Sequence, residues 1–198
     1  MAAESRAHGD ASRDPSRDPS RDPSRDPAGD PAAASRRLAC VDVPALALQL
    51  VLRAHPDWRQ DPVVVVEDDR PEARILWANR PAREARIQRG QRCKEAEALA
   101  SRLHTAVVPA AELERASTDL LRLLLEFSPM VEPARDRPGQ FFVDASGLLE
   151  LFSSLEDWAH ALHAALSARD FVAGVAVGFV RFAVAAIARS RTGWCVCR

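Results

Sequence analysis

The chain has 198 residues, and its 27 lysines and arginines nearly balance 28 aspartates and glutamates, which leaves a formal net charge of -1. This balance excludes a general electrostatic attraction to nucleic-acid phosphates, so contact with DNA requires a local cluster of basic residues or a partner. The hydrophobic fraction of 47% suffices for the buried core of one domain of ordinary size.

The chain has four cysteines, at Cys40, Cys93, Cys195 and Cys197, and no two of them have CxxC spacing. No apolar leader segment precedes them. Such a pattern is typical of reduced thiols in an intracellular protein. We therefore expect a cytoplasmic protein without a disulfide framework.

Residues 1–36 form a low-complexity segment in which the unit Ser-Arg-Asp-Pro occurs four times in succession, from Ser12 to Pro27. Alternating charges with a proline at every fourth position support neither a helix nor a strand. We expect a disordered tail, which is either a flexible tether that binds partners or a repeat expansion without a role.

Buried strands, helices and turn signals alternate through the first half of the remaining chain. Four consecutive valines indicate a strand that is buried on both faces, and Asn79 is a good N-cap for the short helix that follows it. The predicted elements are a strand over 38–43, a helix over 44–55, strands over 62–66 and 74–78, and a helix from Asn79 to about 86.

The second half continues the alternation, which predicts an α+β domain. Its sheet has helices on one face, and a small helical subdomain is inserted over about 60–110. The predicted elements are helices over 93–103, 112–127, 155–168 and 182–189, and strands over 105–108, 140–144, 173–178 and 193–197.

The stretch from Phe171 to Ala188 is apolar except for Arg181 and approaches the length of a membrane span. Gly174 and Gly178 interrupt it, and an arginine deep in a bilayer costs about 2.5–3.5 kcal/mol on insertion scales. We therefore expect a buried strand followed by a helix, and no association with a membrane.

Four segments in chain order resemble the UmuC-like Y-family DNA polymerases, and in particular their catalytically inactive, ImuB-like branch. They are Ala39-Cys40-Val41-Asp42-Val43-Pro44, Ala78-Asn79-Arg80-Pro81-Ala82-Arg83, the run from Phe127 to Pro133, and Phe142-Val143-Asp144-Ala145-Ser146-Gly147. The resemblance covers 37–198 and implies a ferredoxin-like palm sheet with an inserted fingers subdomain. Members of the family continue into a thumb and a little finger, which we do not expect in this chain.

The resemblance also indicates which metal ligands are missing. A polymerase holds two divalent ions with several carboxylates, and in active relatives one Asp comes from the first strand and an Asp-Glu pair from a later one. Asp42 matches the first position. If Asp144 matches the family's downstream Asp, the pair falls within 135–140 and is absent; if Asp144 is itself the catalytic Asp, Ala145 replaces the Glu. We therefore expect Asp42 to be a vestigial metal ligand and no residue to be catalytic.

Arg83 matches the arginine that contacts the incoming triphosphate in the family, and Arg80 replaces its tyrosine. The resemblance makes both arginines candidate contacts for a nucleotide phosphate. The alternative is an exposed helix whose arginines are solvated.

These observations lead to three hypotheses about function. The first is a non-catalytic adaptor in translesion synthesis during damage-induced (SOS) mutagenesis, which binds a replicative or mutagenic DNA polymerase, a sliding clamp or a RecA-like companion, and DNA weakly or through them. It needs no cofactor. The second is an active nucleotidyltransferase that uses Mg²⁺, with Asp42, Asp136 and Asp144 as ligands. The third is a truncated product without function.

Overall fold

The computed structural model describes residues 37–148 and 152–197, and the predicted tail over 1–36 lies outside this part. Strands and helices alternate through it as the sequence predicts. They are β1 (Leu38–Asp42), α1 (Leu46–Ala54), a 3-10 helix (Pro56–Gln60), β2 (Val63–Val66), β3 (Ile75–Ala78), α2 (Arg80–Glu84), α3 (Cys93–Glu97), β4 (His104–Ala106), α4 (Ala110–Leu125), β5 (Val131–Pro133), β6 (Gln140–Asp144), α5 (Leu155–Ser167), β7 (Gly174–Gly178), α6 (Arg181–Ser190) and β8 (Gly193–Val196).

The main sheet has five strands in the order β5-β6-β1-β7-β8. Adjacent strands in this sheet are antiparallel, except for β7 and β8, which are parallel. The sequence of elements β1, α4, β5, β6, α5 and β7 gives the ferredoxin-like order, and β8 extends the sheet beyond β7. The predicted α+β class and ferredoxin-like sheet are confirmed. The expectation that the helices lie on one face of the sheet is wrong, because α6 packs on the face opposite to α4 and α5.

Successive residues of β1 point to opposite faces of the sheet, as a pleated strand requires. Val41 belongs to the core that α4 and α5 cover, in which Trp158 is fully buried. The indole Nε1 of Trp158 donates a hydrogen bond of 3.1 Å to the carbonyl oxygen of Phe127. Cys40 belongs to the other face, where it packs with Phe142 and with α6.

A second sheet, in the order β3-β2-β4, lies within the segment between α1 and α4. All four valines of β2 are buried. Val63 and Val65 pack with α1, whereas Val64 and Val66 pack with the side of the insertion that carries α2 and α3. The run of valines therefore separates two small cores, which explains why it lacks polar alternation.

Three local features differ from the sequence prediction. Strand β5 was not predicted, because it has three residues and includes Pro133, which only an edge position tolerates. The 3-10 helix at Pro56–Gln60 was not predicted either. Helix α3 ends at Glu97 and not near residue 103, since the chain must reach the start of β4, where the amide of His104 donates to the carbonyl of Pro62 over 2.9 Å.

Within the described ranges, no helix has the length and apolar character that crossing a membrane requires. The apolar stretch from Phe171 to Ala188 divides into β7 and α6, as the sequence predicts.

Candidate functional site

Four residues form a row across one end of the main sheet. Gln140 of β6 lies opposite Asp42 of β1, Asp42 lies opposite Gly174 of β7, and Gly174 lies opposite Gly193 of β8. By the alternation of β1, the Asp42 side chain is on the same face as Cys40, which is the face that α6 covers. The row therefore brings the predicted Asp42 beside residues from three other strands.

Asp42 and Gln140 are joined directly. The Gln140 amide nitrogen Nε2 donates a hydrogen bond of 3.1 Å to Oδ1 of Asp42, and the two residues are 8% and 4% exposed. Burial raises the pKa of the Asp42 carboxyl above its ordinary value, while the Gln140 hydrogen bond and the charges of Arg189 and Arg137 lower it in part. A single carboxylate is thus held by a neutral amide.

The position of Asp144 distinguishes the two registers considered above. Asp144 pairs with Leu38 at the opposite end of β1, and Gln140 occupies the place facing Asp42. Four residues of strand separate the two ends, which is about 13 Å. The carboxylate Oδ1 of Asp144 accepts a hydrogen bond from the amide of Ser146 at 2.9 Å. The geometry therefore favours the register in which the expected pair falls within 135–140.

Asp136, the remaining carboxylate of the active-enzyme hypothesis, is exposed in the turn between β5 and β6. This turn is closed by hydrogen bonds from the Ala134 amide to Gln140 and from the Gln140 amide to Arg137. Over 37–148 and 152–197, the structure gathers no group of three or more His, Cys, Asp or Glu side chains that could hold a metal ion. Asp42 and an amide are a poor donor set for paired Mg²⁺, which requires several carboxylates.

Backbone packing fixes the shape of this end of the sheet. Gly139 has φ +90°, its carbonyl accepts a 2.8 Å hydrogen bond from the amide of Val43, and a Cβ there would lie 2.7 Å from the Val43 carbonyl oxygen. On the other side of Asp42, a Cβ on Gly174 would lie 2.0 Å from the carbonyl oxygen of Ala188. The C-terminal end of α6 therefore rests directly on the row.

Four arginines surround this end of the sheet, and sequence reasoning missed them. They lie in two segments of similar sequence. One is Arg135-Asp136-Arg137-Pro138-Gly139 in the turn before Gln140, and the other is Arg189-Ser190-Arg191-Thr192-Gly193, which runs from the end of α6 to the start of β8. All four side chains are exposed. The repeated Arg-x-Arg-x-Gly pattern is a signal in the sequence, but only the strand order brings the two copies to one end of the sheet.

The two predicted phosphate contacts lie on α2, in the insertion. The Arg80 Nε contacts Oε1 of Glu84 at 2.7 Å, and the Arg83 Nη1 donates to the Ala78 carbonyl at 2.8 Å. Asn79 caps this helix as predicted, since its Oδ1 accepts from the Ala82 amide. Both arginines thus have partners within their own segment, and their contact with a phosphate stays a prediction.

The fold is similar to that of several polymerase structures. It matches "Crystal Structure of DinB from Sulfolobus solfataricus" with a TM-score of 0.69 and 18% identity, over 82% of this chain and 48% of that one. It matches "Insertion ternary complex of Dbh DNA polymerase" with a TM-score of 0.69 and 20% identity over the same shares. The chain thus spans about half the length of these structures. No curated protein matches it.

The sheet order, the helices on its faces and Asp42 at the end of the central strand define a polymerase-palm-like domain. The model of the impB/mucB/samB family matches residues 41–185, which is most of the chain. The protein belongs to this family, whose members carry the UmuC-like domain of the Y-family polymerases.

Proposed function

We propose that this protein is a non-catalytic, polymerase-like factor in DNA-damage tolerance. It acts by binding in translesion synthesis, in the manner of the ImuB-like branch. One observation carries the proposal: the residue that faces Asp42 across the sheet is Gln140, whose amide donates to the carboxylate at 3.1 Å. An amide donor satisfies the oxygen that would otherwise ligate a cation.

Among the described residues, Asp42 has no second carboxylate beside it, and this matters because of the charge that a polymerase must neutralise. Phosphoryl transfer develops negative charge on the attacking and leaving oxygens, and two metal ions held by carboxylates stabilise it. Asp42 and Gln140 together carry one negative charge at most. This donor set supports neither ion of such a pair.

A binding role agrees with the family and with the small net charge of the chain. We infer that the partners are a replicative or mutagenic DNA polymerase, a sliding clamp or a RecA-like companion in the cytoplasm, and that DNA is bound weakly or through them. Arg83 and Arg80 remain the candidate phosphate contacts of the insertion.

Primer extension tests the proposal that the chain does not catalyse nucleotide incorporation. The full chain is incubated with a primed template and nucleotides in Mg²⁺ and in Mn²⁺, beside Dbh DNA polymerase as the active reference. We expect no incorporation above background in either metal. Incorporation that Asp42→Ala abolishes would overturn the proposal and favour the active polymerase.

Affinity capture tests the adaptor role. The tagged full chain is recovered from cells before and after DNA damage, and its captured proteins are identified. We expect a polymerase, a clamp or a RecA-like protein to be enriched after damage and to bind the purified chain directly. A chain that melts cooperatively but binds none of these purified proteins would contradict the adaptor role.

A further inference from the structure

Strand β8 forms one edge of the main sheet and has an open side. Within 37–148 and 152–197, it pairs with β7 alone, in parallel, and its residues are all half-buried. A strand at the edge of a sheet presents a row of backbone amides and carbonyls to which another strand can bind. The outer side of β8 is therefore a candidate interaction surface.

The hydrogen bonds to β7 fix which backbone groups of β8 point outward. The amides of Gly193 and Cys197 donate bonds of 3.0 and 2.7 Å to carbonyl oxygens on the β7 side. Successive residues of a strand direct their amide and carbonyl groups to opposite sides, so Cys195 also faces β7. Trp194 and Val196 therefore direct theirs away from it, and among the described residues nothing bonds to their amides.

The two edges of the main sheet differ in how they resist a further strand. Strand β5, at the other edge, ends in Pro133, which lacks an amide, and carries the charged Glu132. Proline and charged side chains are the usual protection of a sheet edge. The sequence of β8, Gly193-Trp194-Cys195-Val196, has neither, so nothing in the strand itself opposes pairing.

The outward groups of β8 complement those of a second copy of the chain. When the second copy runs antiparallel, Trp194 lies opposite Val196 of the second copy, and the reverse pair forms by symmetry. Each pair exchanges both of its N–H···O bonds, so all of the outward amides and carbonyls are satisfied around a two-fold axis. Cys195 lies on this axis, opposite Cys195 of the second copy. A register shifted by two residues leaves part of these groups unpaired.

Helix α5 covers β8 on one face of the sheet and supplies a second contact. The ring of His160 lies 5.8 Å from that of Trp194, edge to face, and His163 lines a cleft together with Gly193. The helix therefore runs antiparallel to β8. Because paired strands are about 4.8 Å apart and each α5 lies over β7 as well as β8, the two copies of α5 come to about 10 Å from each other, the usual distance between packed helices.

The side of α5 next to β8 carries groups that attract each other across the axis. Glu156 precedes His160 by one helical turn. The axis at Cys195 lies one strand position beyond Trp194, which corresponds to about two helical residues before His160. The axis therefore crosses α5 between Glu156 and His160. Each Glu156 carboxylate comes near His160 of the other copy, whose imidazole N–H can donate to it.

We propose that two copies of this chain associate through β8 and α5 into a two-fold dimer, in which their five-stranded sheets become continuous. The 13 residues of α5 span about 20 Å, so the helix side and the strand edge together bury roughly 400–600 Å² per copy, below the standard interface of about 800 Å². Such an area supports a weak dimer with a micromolar dissociation constant. The proposal does not involve Asp42 and goes beyond the proposed function.

Sedimentation velocity of the full chain, from low to high micromolar concentration, tests for the dimer. We expect the mass to rise from 21.7 kDa toward twice that value. Cys195→Lys places two ammonium groups against each other at the axis and should weaken association about fivefold or more. Cys197→Lys is the matched control, since Cys197 lies opposite Gly193 of the second copy, and it should associate like the wild type.

Disulfide trapping tests the register, because Cys40 and Cys93 are buried. In Cys197→Ser, Cys195 faces its own copy at a Cα distance of about 4.5 Å, which a disulfide can bridge. In Cys195→Ser, the two copies of Cys197 are about 13 Å apart, which is too far. Diamide, which takes two electrons and two protons from a pair of thiols, should therefore crosslink the first variant and not the second.

Three results would overturn the inference. The first is a wild-type chain that stays monomeric at high micromolar concentration, which would leave β8 to a strand of another protein. The second is a Cys195→Lys variant that associates as tightly as its control, and the third is equal crosslinking of the two serine variants. Urea unfolding of each variant ensures that only folded chains are compared.

Discussion

Gln140 and Asp42 come from strands that are 98 residues apart in sequence, and the Gln140 amide donates to the Asp42 carboxylate over 3.1 Å. Both residues are buried at the end of the sheet. A carboxylate that loses water on burial needs hydrogen-bond donors to remain charged. The pair therefore converts a position that resembles a metal ligand into a satisfied polar contact of the core.

The pair makes stability depend on the charge of Asp42. Burial raises the pKa of Asp42 in the folded chain above the ordinary value of 3.8. The protonated Asp42 carboxyl is therefore favoured by folding. Its contribution to the free energy of unfolding is fully present below pH 3.8 and is lost as the pH rises through the pKa of the folded chain. We expect Asp42→Asn to stabilise the chain by about 1 kcal/mol at pH 7, since Asn keeps the acceptor oxygen.

Urea unfolding at pH 7 and at acidic pH checks this prediction. The gain from Asp42→Asn should shrink as the pH falls toward the ordinary carboxyl value. A variant that is less stable than the wild type at pH 7 would mean that the charged form is favoured in the fold.

Gln140→Glu should create a site for a divalent cation beside Asp42. Two buried carboxylates repel each other, so we expect the variant to lose about 1–3 kcal/mol at pH 7. Mn²⁺ or Mg²⁺ should restore part of this loss, because both ions prefer carboxylate oxygens.

Thermal unfolding with and without Mn²⁺ measures the effect, with Gln140→Leu as the matched control. The leucine variant also leaves Asp42 without its donor, but it adds no ligand, so Mn²⁺ should not raise its melting temperature. Equal responses of the two variants would refute this explanation.

Much of the fold can be predicted from local sequence patterns. Strand β6 has the predicted bounds, 140–144, and Asn79 caps α2 as expected. Asn79 also links α2 to the start of β2, since its Oδ1 accepts a hydrogen bond from the Val63 amide and its Nδ2 donates one to the Asp61 carbonyl. Those two contacts link residues 16 and 18 positions apart, which helix-capping rules do not cover.

The site was less predictable than the elements that carry it. The resemblance singled out Asp42, and alternation would assign it to the face of Cys40. The residue of β6 that faces it depends on the register of strands far apart in sequence, which no local pattern encodes. The two arginine segments come to the same end of the sheet only because β8 is added in parallel beside β7.

Asn79→Ala should destabilise the insertion, because three hydrogen bonds of the Asn79 side chain are lost in a buried place. We expect a loss of about 2–3 kcal/mol, at the upper end of the range for an N-cap with further contacts. Hydrogen exchange of the Val63 and Ala82 amides should accelerate. Asn79→Asp keeps both acceptor contacts and should lose less, and a larger loss for Asp than for Ala would contradict the assignment.

Gly139→Ala should cost about 2 kcal/mol or more. Its φ of +90° is strained for alanine, and the new Cβ would lie 2.7 Å from the Val43 carbonyl oxygen. The control is Gly147→Ala, where φ is +73° and no atom lies within 4 Å of the new Cβ. The control bears only the backbone strain of about 1 kcal/mol. Chemical denaturation of both variants separates the cost of backbone strain from the cost of the contact with Val43. Equal losses of stability would show that the contact with Val43 is unimportant.

Gly174→Ala should disrupt the packing of α6 against the main sheet. A Cβ at this position would lie 2.0 Å from the carbonyl oxygen of Ala188 and 2.5 Å from that of Arg191. Backbone atoms cannot yield as a flexible side chain does, so the end of α6 must move away from the sheet. We expect the free energy of unfolding to fall by about 3 kcal/mol or more, comparable to overpacking of a core.

Gly193→Ala is the matched control for this position. It lies beside Gly174 in the same row, but the space around its new Cβ is open, and only the φ of +95° opposes the substitution. It should therefore lose only about 1–2 kcal/mol of stability. Far-ultraviolet circular dichroism and urea unfolding of both variants compare the two losses. If Gly174→Ala loses no more stability than its control, the contact of α6 with Gly174 leaves room for a side chain and the steric explanation is wrong.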